Sequence, residues 1–430
     1  KPDFSNGYYN LGVALQGQRK LDVSIEAYNK AISLKPDYAE AYNNMGVALK
    51  DIGKLNEALE AFNKTIKFRD DHIEAYNNIG IILKSIIFKE PNPILYDTLV
   101  SLFDQKASER PTDIAKSLTT LLKLDPILKH YLQSICKDRL KLPIHKVVTN
   151  LSELTLLLKL ISICPIADIE MEYLLTSIRA GILFEIQNLT VTPELLKFQS
   201  ALALQCFINE YIFNQSEQEN KVIKELEDLV KLTINNNEQP NSQSILCLAS
   251  YKPLNHYDWY NKLHVDSEIE DVFTRQVVEP QQEDDLKFEL PLLKKINNKI
   301  SLKVRAQYEL NPYPRWVKLG IPFRPEKFSK IIDDKKLSLY NSRIREINAP
   351  EILIAGCGTG QQSIETAALI RDSKVFAIDL SLSSLAYAKR KTKELGIQNI
   401  EYMQADILEL EKLKKSFDII ESSGVLHHMD

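Results

Sequence analysis

At 430 residues, 44% of them hydrophobic and 26% charged, the chain has room for about three domains of ~150 residues. That composition excludes disorder and collagen-like structure. The 54 Lys and Arg stand against 58 Asp and Glu, a net charge of −4, which points to neither nucleic acid nor a membrane surface as partner. Glycine is scarce, 13 residues where average usage of ~7% would give roughly 30, and the scarcity is patterned. Gly12, Gly46 and Gly80 lie 34 apart, while Gly356, Gly358 and Gly360 share one short window. Between Gly80 and Gly320 only Gly181 occurs.

Residues 1–86 repeat themselves. Tyr8-Leu11-Gly12-Leu15 returns as Tyr42-Met45-Gly46-Leu49 and as Tyr76-Ile79-Gly80-Leu83, and Tyr28 and Ala31 align with Phe62 and Thr65. A helix–turn–helix period of 34 is the signature of tetratricopeptide repeats, and this segment resembles such an array, an α-solenoid. Glycine at the repeated position lets two helices approach, with the aromatics filling the seam. Lys1-Pro2-Asp3-Phe4 matches Lys35-Pro36-Asp37-Tyr38, so the array is expected to open on the tail of an earlier repeat. Asn10, Asn44 and Asn78 occupy one position of each first helix. In similar repeats an asparagine ladder holds extended peptides, since an amide both donates and accepts. The other reading is that asparagine is merely common there.

From 87 to 300 the pattern is helical. Leu95, Leu99, Leu102 and Phe103, then Ile114, Leu118, Leu121 and Leu122, recur at three-to-four-residue spacing, and further helices are expected near 169–184, 193–214 and 222–232. The polar run 235–242 divides helical subunits. Glu283-Asp284-Asp285 reads as a solvated connector. His130, His145, His256 and His264 have no partner at ligand spacing, and the aromatics around Trp259 are expected to pack in the core. Five cysteines, Cys136, Cys164, Cys206, Cys247 and Cys357, form no CxxC pair and read as free thiols in a reducing compartment. Cys164 and Cys206 lie in apolar stretches that suit buried thiols. The longest apolar run, 154–167, is broken by Lys159 and Pro165 and falls short of the ~20 residues of a membrane span. With no signal peptide legible, a cytoplasmic protein is expected.

The segment 301–349 begins in helical pattern and reaches Asn311-Pro312-Tyr313-Pro314-Arg315-Trp316, whose prolines impose an extended turn. It is either a rigid interdomain linker or a lid. A similar segment precedes the catalytic domain in proteins that couple these repeats to a methyltransferase, which favours a lid built on Tyr308, Asn311, Tyr313 and Arg315.

The last segment carries the chemistry. A strand over 351–355 runs into Gly356-Cys357-Gly358-Thr359-Gly360, followed by a helical pattern. Glycines at a strand–helix turn let a ligand approach main-chain amides. A second strand ends at Asp379, placed for ribose hydroxyls; a third, 400–404, precedes Asp406, and a fourth covers 417–421. A dinucleotide fingerprint requires G-x-G-x-x-G/A, and Gln361 at the last position breaks it. The G-x-G-x-G spacing, Asp406, and Phe417-Asp418-Ile419-Ile420-Glu421-Ser422-Ser423-Gly424-Val425-Leu426-His427-His428 together resemble a class I S-adenosylmethionine-dependent methyltransferase.

That resemblance implies S-adenosylmethionine as cofactor, with Gly356, Gly358 and Gly360 under its methionine part and Asp379 on the ribose. Leu380 would pack on adenine, Asp406 would hold the adenine amine, and Ile407 and Ser422 would complete the pocket. Ile354 departs from the pattern, since many members carry there an acid that orients the cofactor's amino group. His427 or His428 would serve as catalytic base if the acceptor must lose a proton; otherwise the pair packs beneath the sheet or fixes the loop. No metal is expected. Lys389, Arg390, Lys391 and Lys393 read as a solvated helix face. The family has about seven strands, in the order 3-2-1-4 for these four, so an excerpt open at both ends, inactive alone, is expected.

The expectation is therefore a multidomain α plus α/β chain. It has a tetratricopeptide-repeat α-solenoid (1–86), an all-α middle domain (87–300), a lid or linker (301–349), and the first four strands of a Rossmann-like class I methyltransferase domain (350–430). Its function would be methyl transfer to an unidentified acceptor, with the repeats recruiting a protein or peptide. The alternative is a non-catalytic interaction scaffold with a degenerate cofactor domain, motivated by Ile354.

Overall fold

The 34-residue period becomes helical hairpins: α1 (Ser5–Gly17) with α2 (Leu21–Leu34), α3 (Ala39–Asp51) with α4 (Leu55–Phe68), then α5 (Ile73–Leu83). The computed structural model describes residues 4–105, 109–135, 143–321, 324–339 and 341–425. A Cβ added to Gly12 would stand 2.6 Å from the Tyr28 ring, and one on Gly46 2.7 Å from the Phe62 ring; both rings are fully buried. The repeated glycine thus exists to admit an aromatic ring from the second helix. Gly80 differs: the space is taken by Glu109, a carboxylate paired with Lys84.

The chain divides into two compact units, Lys1–Leu202 and Ala203–Asp430, a coarser partition than the four segments expected from sequence. In the first, helices Pro111–Lys123, Thr155–Ile163 and Ile169–Glu185 bury Leu118, Leu121, Leu157, Ile161, Leu174 and Ile178. Asp168 caps the last of these by accepting from Met171 N at 3.1 Å. Cys164 is buried here, and burial pushes its thiol up to about 12. The helix expected over 193–214 ends at Ile208, because Glu210 and Tyr211 turn to positive φ, 58° and 56°.

In the second unit the helix Glu217–Asn235 begins five residues earlier than the apolar pattern suggests, because Ser216 and Glu219 form a reciprocal capping box. Tyr257 and Trp259 are buried and stacked at 4.7 Å. The sheet consists of β1 (Glu351–Ala355), β2 (Lys374–Asp379), β3 (Ile400–Gln404) and β4 (Ile419–Glu421), all parallel in the order β3-β2-β1-β4. Alternate residues face opposite sides. Ile352, Ile354, Val375 and Ala377 pack with Leu385 and Ala388, while Leu353, Ala355, Phe376 and Ile378 pack with Ala405 and Phe417.

Two expectations fail in this unit. Glu283-Asp284-Asp285 is not a connector: it lies in the helix α6 (Glu279–Lys287), where Asp284 and Asp285 are exposed but Glu283 is buried. Nor is the basic run after β2 wholly solvated, since Arg390 and Lys391 are buried. Arg390 Nε donates to Glu283 Oε1 at 2.8 Å, and Nη2 reaches Glu279 at 2.9 Å. Lys391 Nζ donates to Val317 O at 2.9 Å and to Glu394 at 2.8 Å. A buried charge survives when paired and hydrogen-bonded, and here Glu283, Glu279 and Val317 O from other segments, with Glu394 one turn away, provide that. Lys389 pairs with Glu289 at 2.8 Å near the surface, and Lys393 is exposed.

Candidate functional site

The turn after β1 is built from backbone hydrogen bonds. Gly356 N and Cys357 N both donate to Ile378 O at 2.9 Å, and Gly360 N donates to Cys357 O at 3.0 Å. Gly356, Gly358 and Gly360 all have positive φ, 83°, 52° and 87°, a region costly for any side chain. The space around them differs. A Cβ on Gly356 would lie 2.3 Å from Val425, and one on Gly360 2.6 Å from the Ala388 Cβ. At Gly358 the nearest atom would be Tyr313 O at 3.8 Å. A side chain at the first or third glycine would thus collide with the protein's own packing, whereas the space beside Gly358 is uncrowded. Burial, with the Asp379 charge adding, pushes the Cys357 thiol well up, away from the thiolate form.

Carboxylates stand at the ends of the next two strands. Asp379, half-buried, accepts from Gly358 N through Oδ2 at 2.8 Å and from Ser381 N through Oδ1 at 2.9 Å. Desolvation raises its pKa above the ordinary carboxylate value, against the lowering effect of those N–H groups. Each oxygen keeps acceptor capacity for a further donor. Leu380 follows, half-buried, its carbonyl held by Gln404 Nε2 at 2.7 Å. Asp406 is buried and accepts from Leu408 N at 3.0 Å, capping the 3₁₀ turn that starts at Ile407. Ser422, past β4, donates to Ala355 O at 3.2 Å. All eight cofactor positions expected from sequence lie at the carboxyl edge of the sheet, where open α/β sheets bind ligands.

Over this edge runs a strap. The helix α7 (Lys299–Leu310), capped by Asn298 at Ile300 N and Ser301 N, delivers Tyr308, whose carbonyl accepts from Ser381 Oγ at 3.1 Å. Glu309 places Oε1 on Leu382 N and Oε2 on Ser383 N, each at 2.9 Å, so one carboxylate caps the helix α9 (Leu382–Glu394) that follows the shorter helix α8 (Gln361–Leu369). Thr359 Oγ1 donates to Pro314 O at 2.8 Å, and Trp316 Nε1 returns a bond to Thr359 O at 3.0 Å. Tyr387 Oη donates to Trp316 O, and the indole is buried against Ile364 and Tyr387.

Of the four lid residues expected, Tyr308 works through its backbone, Asn311 N closes α7 on Gln307 O at 3.2 Å, and Tyr313 is exposed. Arg315 turns elsewhere: its Nε meets Glu210 Oε1 at 3.0 Å and its guanidinium lies 4.8 Å above the Phe207 ring. It anchors the strap rather than covering the glycine loop. Trp316, whose size suggests a cover for a ligand, is instead a tie of the strap; the roles of Glu309 and Thr359 have no sequence signal, because their partners lie far away in sequence. His427 and His428 fall outside the described residues.

In the repeats, Asn10 is exposed, while Asn44 Nδ2 donates to Tyr9 Oη at 3.1 Å and Asn78 Oδ1 accepts from Lys50 Nζ at 2.8 Å. The three asparagines hold equivalent positions, and two already bond to a residue of the preceding repeat. Among the described residues no helix is long and apolar enough to cross a membrane, and no three His, Cys, Asp or Glu side chains gather to hold a metal ion.

Comparison with known proteins places the repeats and the last segment in families. Residues 352–430 match the methyltransferase domain family, residues 20–53 a TPR repeat, and residues 39–72 a tetratricopeptide repeat. A stretch of 89 residues, 20% of this chain, is 35% identical to 21% of an uncharacterized protein from Synechococcus sp.. Another of 100 residues, 22% of this chain, is 32% identical to 40% of the demethylmenaquinone methyltransferase of Lactococcus lactis subsp. lactis. The chain thus spans about a fifth and two fifths of the length of these relatives.

Proposed function

For a chain that joins tetratricopeptide repeats to a methyltransferase domain, we propose that the carboxyl edge of the sheet binds S-adenosylmethionine for transfer to an acceptor recruited by the repeats. The observation that supports this most is Asp379, which ties the glycine loop to the start of α9 while keeping acceptor capacity. The space at Gly358 fits a ligand that must approach the backbone. Gly358 would underlie the methionine part, Asp379 would receive the ribose hydroxyls, and Asp406 would accept from the adenine amine. Leu380 and Ile407 would flank the base, and Ser422 would line the pocket. When bound, the cofactor supplies an activated methyl group, whose displacement needs alignment more than a protein nucleophile. Alignment falls to the strap, through Thr359 and Trp316. If the acceptor must lose a proton, His427 or His428 is the base in this reading.

The repeats, with Asn10, Asn44 and Asn78 as the amide row, would hold a protein or peptide. The helical domain would extend over 87–300 and the strap's segment over 301–349, in a cytoplasmic protein. Titration calorimetry of the intact protein with S-adenosylhomocysteine tests the cofactor reading. Heat of binding is expected, with affinity reduced about a hundredfold in Asp379→Ala, the loss of hydrogen bonds to a charged acceptor at ~1.5–3 kcal/mol each. Absence of heat in the unsubstituted protein would instead favour a non-catalytic scaffold with a degenerate cofactor domain.

A further inference from the structure

The acid that many methyltransferases carry two residues before the first glycine is absent here. Ile354 occupies the position and is fully buried among apolar side chains. The neighbouring strand changes the picture. β4 pairs with β1 in the register Ile354↔Glu421. Register partners in a parallel pair project from the same face, with strands ~4.8 Å apart. A carboxylate therefore stands one strand over, at the level and on the face where the acid is missing.

Its surroundings are informative. Glu421 is half-buried, and its Oε2 accepts from Gln362 Nε2 at 2.8 Å and Thr366 Oγ1 at 3.1 Å. Both donors lie on α8, the helix that leaves Gly360, and both are neutral. Among the described residues Oε1 meets no donor and Glu421 has no cationic partner. The following residue, Ser422, is tied to Ala355 immediately before the glycine loop. A half-buried carboxylate held by neutral donors and lacking a cation costs desolvation that an incoming ammonium would offset.

We propose that Glu421 receives the amino group of the cofactor's methionine part, replacing from β4 the acid that β1 lacks. This rests on the cofactor reading above and adds a residue to it. Carbon-for-charge replacement at Ile354 then signals relocation of the acid, not decay of the site.

Calorimetry with two ligands separates the ideas. S-adenosylhomocysteine carries the amino group, and 5′-methylthioadenosine lacks the whole amino-acid part. Glu421→Gln keeps an oxygen for Gln362 and Thr366, and is expected to weaken S-adenosylhomocysteine about tenfold, as for one charge-assisted hydrogen bond. It should leave 5′-methylthioadenosine within about twofold. Equal weakening of both ligands by Glu421→Gln, or no weakening of either, would overturn the assignment while the cofactor reading stands. If the unsubstituted protein binds neither ligand, the cofactor reading itself falls, and this one with it.

Discussion

Between α1 and α2, and again between α3 and α4, a glycine faces a buried aromatic ring, Tyr28 or Phe62, from the other helix of the same hairpin. Helix α9 is held quite differently. Its Ala388 packs on Gly360, but beside that contact run Arg390 to Glu283 and Glu279, Lys391 to Val317 O, and Tyr387 to Trp316 O. The first seam is apolar and local; the second is ionic and joins residues 71 or more positions apart. A local apolar seam can be repeated along a chain, because each unit carries both halves. A buried ionic seam cannot, since each charge must find its own partner or pay the full desolvation penalty.

The sharpest way to break that contrast is Arg390→Met. Removing one member of a buried pair leaves Glu283 uncompensated, and a loss of about 3–5 kcal/mol is expected. Both tryptophans, Trp259 and Trp316, lie in the second unit, so their fluorescence during urea unfolding reads that unit alone. Adding Glu283→Leu should recover most of the loss. If the double variant is as unstable as the single, the ionic account of the seam is wrong.

A smaller effect is expected in the repeats. Gly46→Ala gains ~1 kcal/mol of helix propensity but sets a methyl 2.7 Å from a buried ring, an overpacking cost of about 1–3 kcal/mol. Hydrogen exchange in α3 should show a net loss, relieved by Phe62→Leu; a stabilised α3 would count against the seam.

The smallest effect concerns the strap. Burial acts to raise the Glu309 pKa, but the donors of Ser383 and Leu382, with Arg305, outweigh it and hold the carboxyl below its ordinary range. A lowered native pKa stabilises the fold above the unfolded value and is lost as pH falls through the native one. Glu309→Gln should therefore cost about 1 kcal/mol at pH 7, as for a lost helix cap. The gap should close below about pH 4, near the unperturbed glutamate pKa. A gap that stays constant across that range would assign Glu309 a role unrelated to its charge.

Much of this was legible beforehand where the signal is local. The repeats follow from a glycine and an aromatic recurring every 34 residues, and all four strands from short apolar runs ending in glycine, acid or serine. The strand order matched the expected 3-2-1-4. The solvated reading of Glu283, Arg390 and Lys391 failed because burial is set by groups distant in sequence: the nearby Glu394 suggests only a surface helix pair, whereas Glu283, Glu279 and Val317 O come from other segments. The work of the glycines was only half legible. Positive φ could be anticipated at Gly356, Gly358 and Gly360, but not that Val425 and Ala388 would claim the space at two of them.

By itself, then, the sequence determined the elements and their class, because helical and strand periodicity and turn glycines act over a few residues. Tertiary structure decided which charges are buried, which glycine is left uncrowded, that Glu309 and Trp316 fasten the strap, and that Glu421 stands beside Ile354. Those outcomes depend on segments brought together through the sheet register and helix packing. A carboxylate on β4 becomes the neighbour of β1 only after the strands between them in sequence have taken their places elsewhere in the sheet.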